Sequence, residues 1–371
     1  MKNSNFPRLI AATTFTLIGS TAWAQDATSQ VQLFGSVAVS ALRISVNNNE
    51  ASSTKLISGP WSGPSVGMQG SEDLGAGLKA NFRIEHGVDA SDGSRGQTAV
   101  AQAKAFDKAA WVGIGNQTVN LTLGRQINAG IDRIATTMDL FQASADGRQI
   151  LSILAINGTN TFGSFDTRVD KSAKVRVNAG NGFNGSLSIA REVPGTIAGN
   201  SYAVDFGQNT SQYGIGAYYM NYDGAGARVD FSQRTWGVGG NYDFGVVRAY
   251  LQYMDARHDK SPFGATQQHD KVWGLGLAAP LSQAFTLKAA YYLDHSDSVG
   301  GKSQGGNRNT AILMGDYALS KRTTIQSGVY RNGVSGAFSS DPFAVAVNAL
   351  VGIPAGSTAA TNFLVGLTHR F

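Results

Sequence analysis

Eight basic residues recur at alternating positions of strand-like segments: Lys79, Arg83, Lys174, Arg176, Arg228, Arg234, Arg248 and Lys288. Alternation places such residues on one face of a strand, with apolar residues on the other. On the same strands, that face carries only Glu85 and Asp230 as acids. Fixed cations in such excess attract anions and raise their local concentration, but they break no bonds. The long stretch 127–171 carries four acids, Asp132, Asp139, Asp146 and Asp166, with Arg133, Arg148 and Arg168 among them. A basic wall facing such a segment would set up a transverse field. Arg83 is the strongest single choice for that wall. Arg43 and Arg125 break the parity of their strands and rank below it.

Bond-making chemistry finds less support. The five histidines, His86, His258, His269, His295 and His369, lie at strand ends or in connections. Asp294-His295-Ser296-Asp297 is the one compact acid–histidine group. A lipase-like Ser/His site or an aspartate/histidine protease also needs a held nucleophile and oxyanion donors, and no signature for these is present. Gly301-Lys302-Ser303 would need a glycine at position 296 to read as a phosphate loop, and Ser296 stands there. The chain has no cysteine, which excludes zinc–thiolate sites and thiol nucleophiles. Loop acids and carbonyls are calcium-type donors, but no dedicated loop motif holds them together, so no cofactor is expected.

The elements that must position these residues are strands. Sixteen candidates cover roughly 31–44, 65–71, 77–88, 107–114, 118–126, 172–180, 183–191, 211–221, 227–234, 235–244, 246–256, 271–280, 285–294, 308–319, 323–332 and 361–371. Leu78, Ala80, Phe82 and Ile84 alternate with Lys79, Asn81, Arg83 and Glu85. Ala173, Val175 and Val177 alternate with Lys174, Arg176 and Asn178. Tight turns are predicted at Glu72-Asp73-Leu74-Gly75, Gly115-Asn116-Gln117, Gly180-Asn181-Gly182, Asp223-Gly224-Ala225-Gly226, Phe244-Gly245 and Ser320-Lys321-Arg322. Long connections are predicted at 45–64, 89–106, 127–171, 192–210, 257–270, 296–307 and 333–360. Short turns on one side and long loops on the other suit a transmembrane barrel and not an ordinary sandwich.

Residues 1–24 read as an export signal. Lys2 and Arg8 precede an apolar run at 9–19, and Ala22-Trp23-Ala24 fits the small-x-small cleavage rule. The remaining domain would span 25–371. Losing Lys2 and Arg8 leaves 28 basic against 25 acidic residues, a net charge of +3. That is too mild to imply nucleic acid. No later segment holds the roughly 18 apolar residues of a spanning helix. Mean hydropathy is only −0.13, as alternating strands require. The segment 363–371, FLVGLTHRF, alternates and ends on Phe371. Termini usually fray, so an aromatic there suggests a last strand tied to the first.

Four stretches resemble one family. Val31-Gln32-Leu33-Phe34-Gly35 resembles its opening strand, and residues 66–85, VGMQGSEDLGAGLKANFRIE, its most recognisable block. Residues 111–126, WVGIGNQTVNLTLGRQ, resemble the strand pair before its constriction loop. Residues 315–323, GDYALSKRT, and the final GLTHRF resemble its closing strands. By these marks the chain is similar to the trimeric general porins of Gram-negative bacteria, in the beta-proteobacterial branch. The resemblance implies an all-β fold: a 16-stranded antiparallel transmembrane barrel in the outer membrane, its third long loop (127–171) folded into the lumen. It implies a homotrimer that passes small hydrophilic solutes and ions by diffusion, and the basic wall adds an expected preference for small anions or organic solutes. It also implies contact with outer-membrane lipid and lipopolysaccharide, and recognition by the barrel-assembly machinery through the C-terminal strand and Phe371. The chain departs from the family at Ala38, where an acid is usual, and lacks the common acidic–aromatic pattern at the loop tip. A plugged structural or adhesive barrel is the other non-enzymatic reading, and no plug-sized insertion favours it.

Overall fold

The computed structural model describes residues 29–47, 52–59, 63–94, 104–142, 167–191, 198–224, 232–260, 266–300, 304–350 and 352–371. The strands are β1 (Gln30–Val46), β2 (Ser53–Ser58), β3 (Ser65–Gly75), β4 (Leu78–Gly87), β5 (Ala109–Gly115), β6 (Val119–Ile127), β7 (Arg168–Gly180), β8 (Phe183–Ala190) and β9 (Ala198–Asn209). They continue with β10 (Tyr213–Gly224), β11 (Ser232–Asp243), β12 (Arg248–Lys260), β13 (Thr266–Pro280), β14 (Phe285–Ser296), β15 (Gly306–Ala318), β16 (Thr323–Gly336) and β17 (Ala359–Arg370). Each pairs antiparallel with its chain neighbour, except that β2 and β3 share one place: both pair with β1, β2 along Val39–Ile44 and β3 along Gln30–Ser36. Seventeen strands thus fill the sixteen positions of a closed barrel.

Closure runs through β1 and β17, in register from Ser36↔Arg370 to Val46↔Ala360. Phe371 continues the ladder. Its N–H donates to the Gly35 carbonyl at 3.0 Å, and the Gly35 N–H donates back at 3.1 Å. The Phe371 ring lies over Gly35, where any Cβ would come within 2.5 Å of it. Closure leaves no unpaired edge, a necessity in hydrocarbon, where no water can satisfy backbone groups.

The two faces of the wall are inverted relative to a water-soluble protein. Phe206, Leu251, Trp273 and Leu367 are exposed, at 50–65%, whereas Ser188, Gln252 and Asp294 are buried, at 0–3%. An outward face this apolar is stable only against lipid. Among the described residues no helix is long and apolar enough to span a membrane.

Several sequence expectations are corrected. Residues 192–210 are not one long loop, because they contain β9. There Tyr202, Val204 and Phe206 face out while Ala203 and Asp205 face in. The expected break between strands 227–234 and 235–244 is absent: β11 runs unbroken through 234–235, since no turn residue interrupts the alternation of Arg234, Trp236 and Val238 with Gln233, Thr235 and Gly237, while 227–231 lie outside the described residues. These two errors cancel in the strand count. Asp223 and Gly224 are still paired in β10, and Ala225 and Gly226 lie outside the described residues. The turn after β3 falls at Ala76-Gly77, with Ala76, Gly75 and Gly77 all at positive φ. The stretch 45–64 holds β2, and 333–360 holds the helix α1 (Pro342–Leu350). Val347 of that helix packs with Phe338, Ile353, Val334 and Ala360 in a small apolar cluster.

Candidate functional site

The inward positions of β4 build one side of the site. The Arg83 guanidinium donates to Glu85 from Nε at 3.0 Å and Nη2 at 2.7 Å, and to Gln69 Oε1 from Nη1 at 2.9 Å. It also stacks 4.2 Å from the centre of the Phe34 ring. The other Glu85 oxygen accepts from Ser65 Oγ at 2.7 Å. Two side chains and a ring therefore fix the direction of the Arg83 charge.

The chain after β6 builds the other side. Residues 129–133 form a short helix, α2 (Ala129–Arg133), capped by Asn128, whose side chain accepts from the Ile131 N–H at 2.9 Å. It passes directly into a π-helical turn, Ile134–Met138. Ile131, Ile134 and Met138 recur at helical spacing and are fully buried against the inner wall. The wall makes room for them: a Cβ on Gly216 would lie 2.7 Å from Arg133 Cδ, and one on Gly276 would lie 2.9 Å from Leu140.

Polar anchors continue along the same path. Arg133, 3% exposed, donates to Asp205 Oδ1 from Nε at 2.8 Å and Nη2 at 2.6 Å, and to Asn184. Asn241 donates to the Thr137 carbonyl at 2.6 Å. Asp139 accepts from Tyr292 Oη at 2.5 Å and from Gln252. Residues 128–142 thus run along the inner face from β8 to β14.

Where this segment leaves β6 it meets the basic wall. Asp132 accepts from Lys174 Nζ at 3.2 Å and from Arg176. Lys174 also donates to the Ile127 carbonyl at 3.0 Å. These residues line a cavity of about 540 Å³ together with Arg83, Glu85, Lys108, Trp111 and Arg168. Five cations face two carboxylates there, a surplus of three positive charges. Elsewhere on the inner face Asp205 holds Arg133, Asp316 holds Lys288, and Asp294 and Asp270 both face Arg308.

Of the basic residues singled out in the sequence, Arg83, Lys174 and Arg176 come together in this cavity. Lys79 faces the lumen parity but stands beside the turn, in register with Asp73. Arg248 is held by Asp243 and Asn241 at the short-turn end, and Lys288 by Asp316. Arg234 points the other way. It shares the outer face with Trp236 and Val238 and pairs with Asp259 at 2.6 Å. Near the long-loop end of a strand the outer face leaves hydrocarbon, so a charge is tolerated there. Arg43 also lies outward, on the face of Ala41. A register shift at Gly124 lets the buried Arg125 pair with the half-buried Asp170 at 2.7 Å.

Of the loop acids, Asp132 is bound to the basic wall itself and Asp139 is enclosed by Tyr292, so neither stands across the lumen from that wall. Arg228, Asp146 and Asp166 lie outside the described residues, as does the segment 1–24. The Asp294–Asp297 group is no site: alternation sends Asp294 inward to Arg308 and His295 outward to Asn307 and Asp297. Among the described residues no three His, Cys, Asp or Glu side chains could jointly hold a metal ion. Sequence reading missed Lys108, which precedes its strand, and Trp111 and Asp205. The inward parity of Trp111 with Ala109 was the available signal.

Comparison with known proteins agrees with this geometry. The profile of the Gram-negative porin family matches residues 11–337. An outer membrane porin protein of Bordetella pertussis is 26% identical over 359 residues, covering 85% of this chain and 84% of that protein. An anion-selective porin from Comamonas acidovorans superposes with a TM-score of 0.74 at 21% identity, covering 92% of this chain and all of the other. A trimer form of OmpT from Vibrio cholerae superposes at 0.61 with 11% identity, covering 92% and 99%.

Proposed function

This chain belongs to the Gram-negative porin family and forms a channel across the outer membrane; from that premise we propose that its narrow region passes anions in preference to cations. The carrying observation is the surplus of three positive charges around the 540 Å³ cavity. A cavity of that volume is about 10 Å across, comparable to the ~8 Å screening length at physiological ionic strength. An ion inside it therefore feels the lining charges largely unscreened. The anion selectivity named for the Comamonas structure supports the same sign. The inward segment 128–142 begins the narrowing, and the solutes are small anions and anionic organic molecules. Liposomes carrying the protein and loaded with two dyes of equal size should lose the anionic dye several-fold faster than the cationic one. Equal rates would sink the preference while leaving the channel.

The channel works as a homotrimer in this reading. The outer face around the closure is mostly apolar, with Ala41 opposite Val365 and Val39 opposite Leu367. A neighbouring fold in trimer form supports the assembly. Native mass spectrometry in mild detergent should give three copies, and a monomer alone would contradict it.

A further inference from the structure

We propose that the basic cavity is a binding site for aromatic carboxylates, with Trp111 as the surface on which the ring stacks. The inference rests on the anion preference proposed above and names the solute class. Trp111 lies on the inner face of β5, directly opposite Arg83 in the β4–β5 ladder. Side chains opposite each other on one face of an antiparallel pair are within contact distance. The indole is only partly buried and lines the cavity, with Ala109 and Ile127 extending the apolar side. A water-filled passage for simple inorganic ions gains nothing from an indole on its wall. Such a ring is useful to a solute that has an apolar face of its own.

The charged side of the cavity suits the other end of that solute. Arg176 and Arg83 are its more open cations, with side chains 40% and 34% exposed. Arg83 already has its plane set by Phe34, Gln69 and Glu85. A carboxylate placed at these guanidinium groups leaves an attached ring beside Trp111. A cavity of about 540 Å³ accommodates one benzoate-sized molecule.

The test uses the full-length folded protein in planar bilayers, with chloride carrying the current. Benzoate and acetate share the carboxylate and differ in the ring. Benzoate is expected to reduce chloride current at roughly three- to tenfold lower concentration than acetate, the range stacking provides. Trp111→Ala should abolish that difference and Trp111→Phe should keep most of it. Arg234→Gln, on the outer face away from the cavity, is the control and should keep the wild-type difference between benzoate and acetate. If Trp111→Ala does not assemble, Trp111→Leu supplies apolar bulk without a ring and should likewise lose the difference. Equal block by benzoate and acetate in a chloride-favouring wild type overturns the stacking site and leaves the anion preference standing. A potassium-favouring wild type overturns both.

Discussion

Replacing Arg83 and Arg176 together by glutamate is expected to reverse the ion preference of the channel. The cavity would then hold three cations, Lys108, Arg168 and Lys174, against four carboxylates. One unit charge at about 4 Å is worth about 1 kcal/mol even in a water-like dielectric. Two reversals at the wall should therefore move the anion-to-cation permeability ratio by on the order of tenfold or more. Reversal potentials of wild type and variant, in one salt gradient, read this directly. Arg234→Glu is the matched control, because that side chain stands on the outer face with Asp259. It should leave the ratio unchanged. A double variant that still prefers anions would show that the preference arises elsewhere in the lumen.

Asp205→Ala is expected to loosen the inward segment and enlarge the conductance. Arg133 and its partner are each 3% exposed at the side chain and share two hydrogen bonds. Removing one member of so buried a pair strands the other charge, at a cost of about 3–5 kcal/mol. The segment escapes that cost by leaving the wall, which moves Asp132 away from Lys174 and Arg176. Single-channel recordings should show larger and noisier currents. Arg133→Met combined with Asp205→Leu removes both charges and keeps apolar bulk, so it should fall nearer wild type than Asp205→Ala does. An Asp205→Ala channel with wild-type conductance and noise would mean the pair does not hold the segment.

The barrel was legible because alternation is a local property. Leu78 to Glu85 and Ala173 to Asn178 declare their two faces without reference to any neighbour, and Arg83, Lys174 and Arg176 follow from them. The closing strand was equally plain from Phe363 to Phe371, and it pairs as expected with β1. What alternation lacks is height along the strand. It cannot separate Arg83 in the cavity from Lys79 beside the turn four residues earlier. It also assigns a charge to the lumen by default, which fails for Arg234, since an outer-face charge is stable beyond the hydrocarbon. The strand β9 was hidden because only Tyr202, Val204 and Phe206 mark its outer face, within a run that opens Ala-Gly-Asn-Ser.

The site depended on information that no single strand carries. Asp132 meets the basic wall only because a helical turn and a π-helical turn lie along the inner face, held by residues from β8 to β14. Lys108 and Arg168 enter the cavity from the ends of their strands, where parity no longer rules. Arg133, Lys288 and Arg308 are each held by an acid, whereas five cations meet two carboxylates around the cavity. A count of inward charges along all strands overstates the breadth of the basic wall and understates its strength at this cavity.

The most direct test of the central claim is the zero-current potential of the purified wild-type protein across a planar bilayer with a potassium chloride gradient. The surplus of cations around Arg83, Lys174 and Arg176 predicts stepwise conductance with a chloride-favouring potential. Stepwise conductance with a potassium-favouring potential would contradict it, leaving the channel but placing the governing charges outside this cavity.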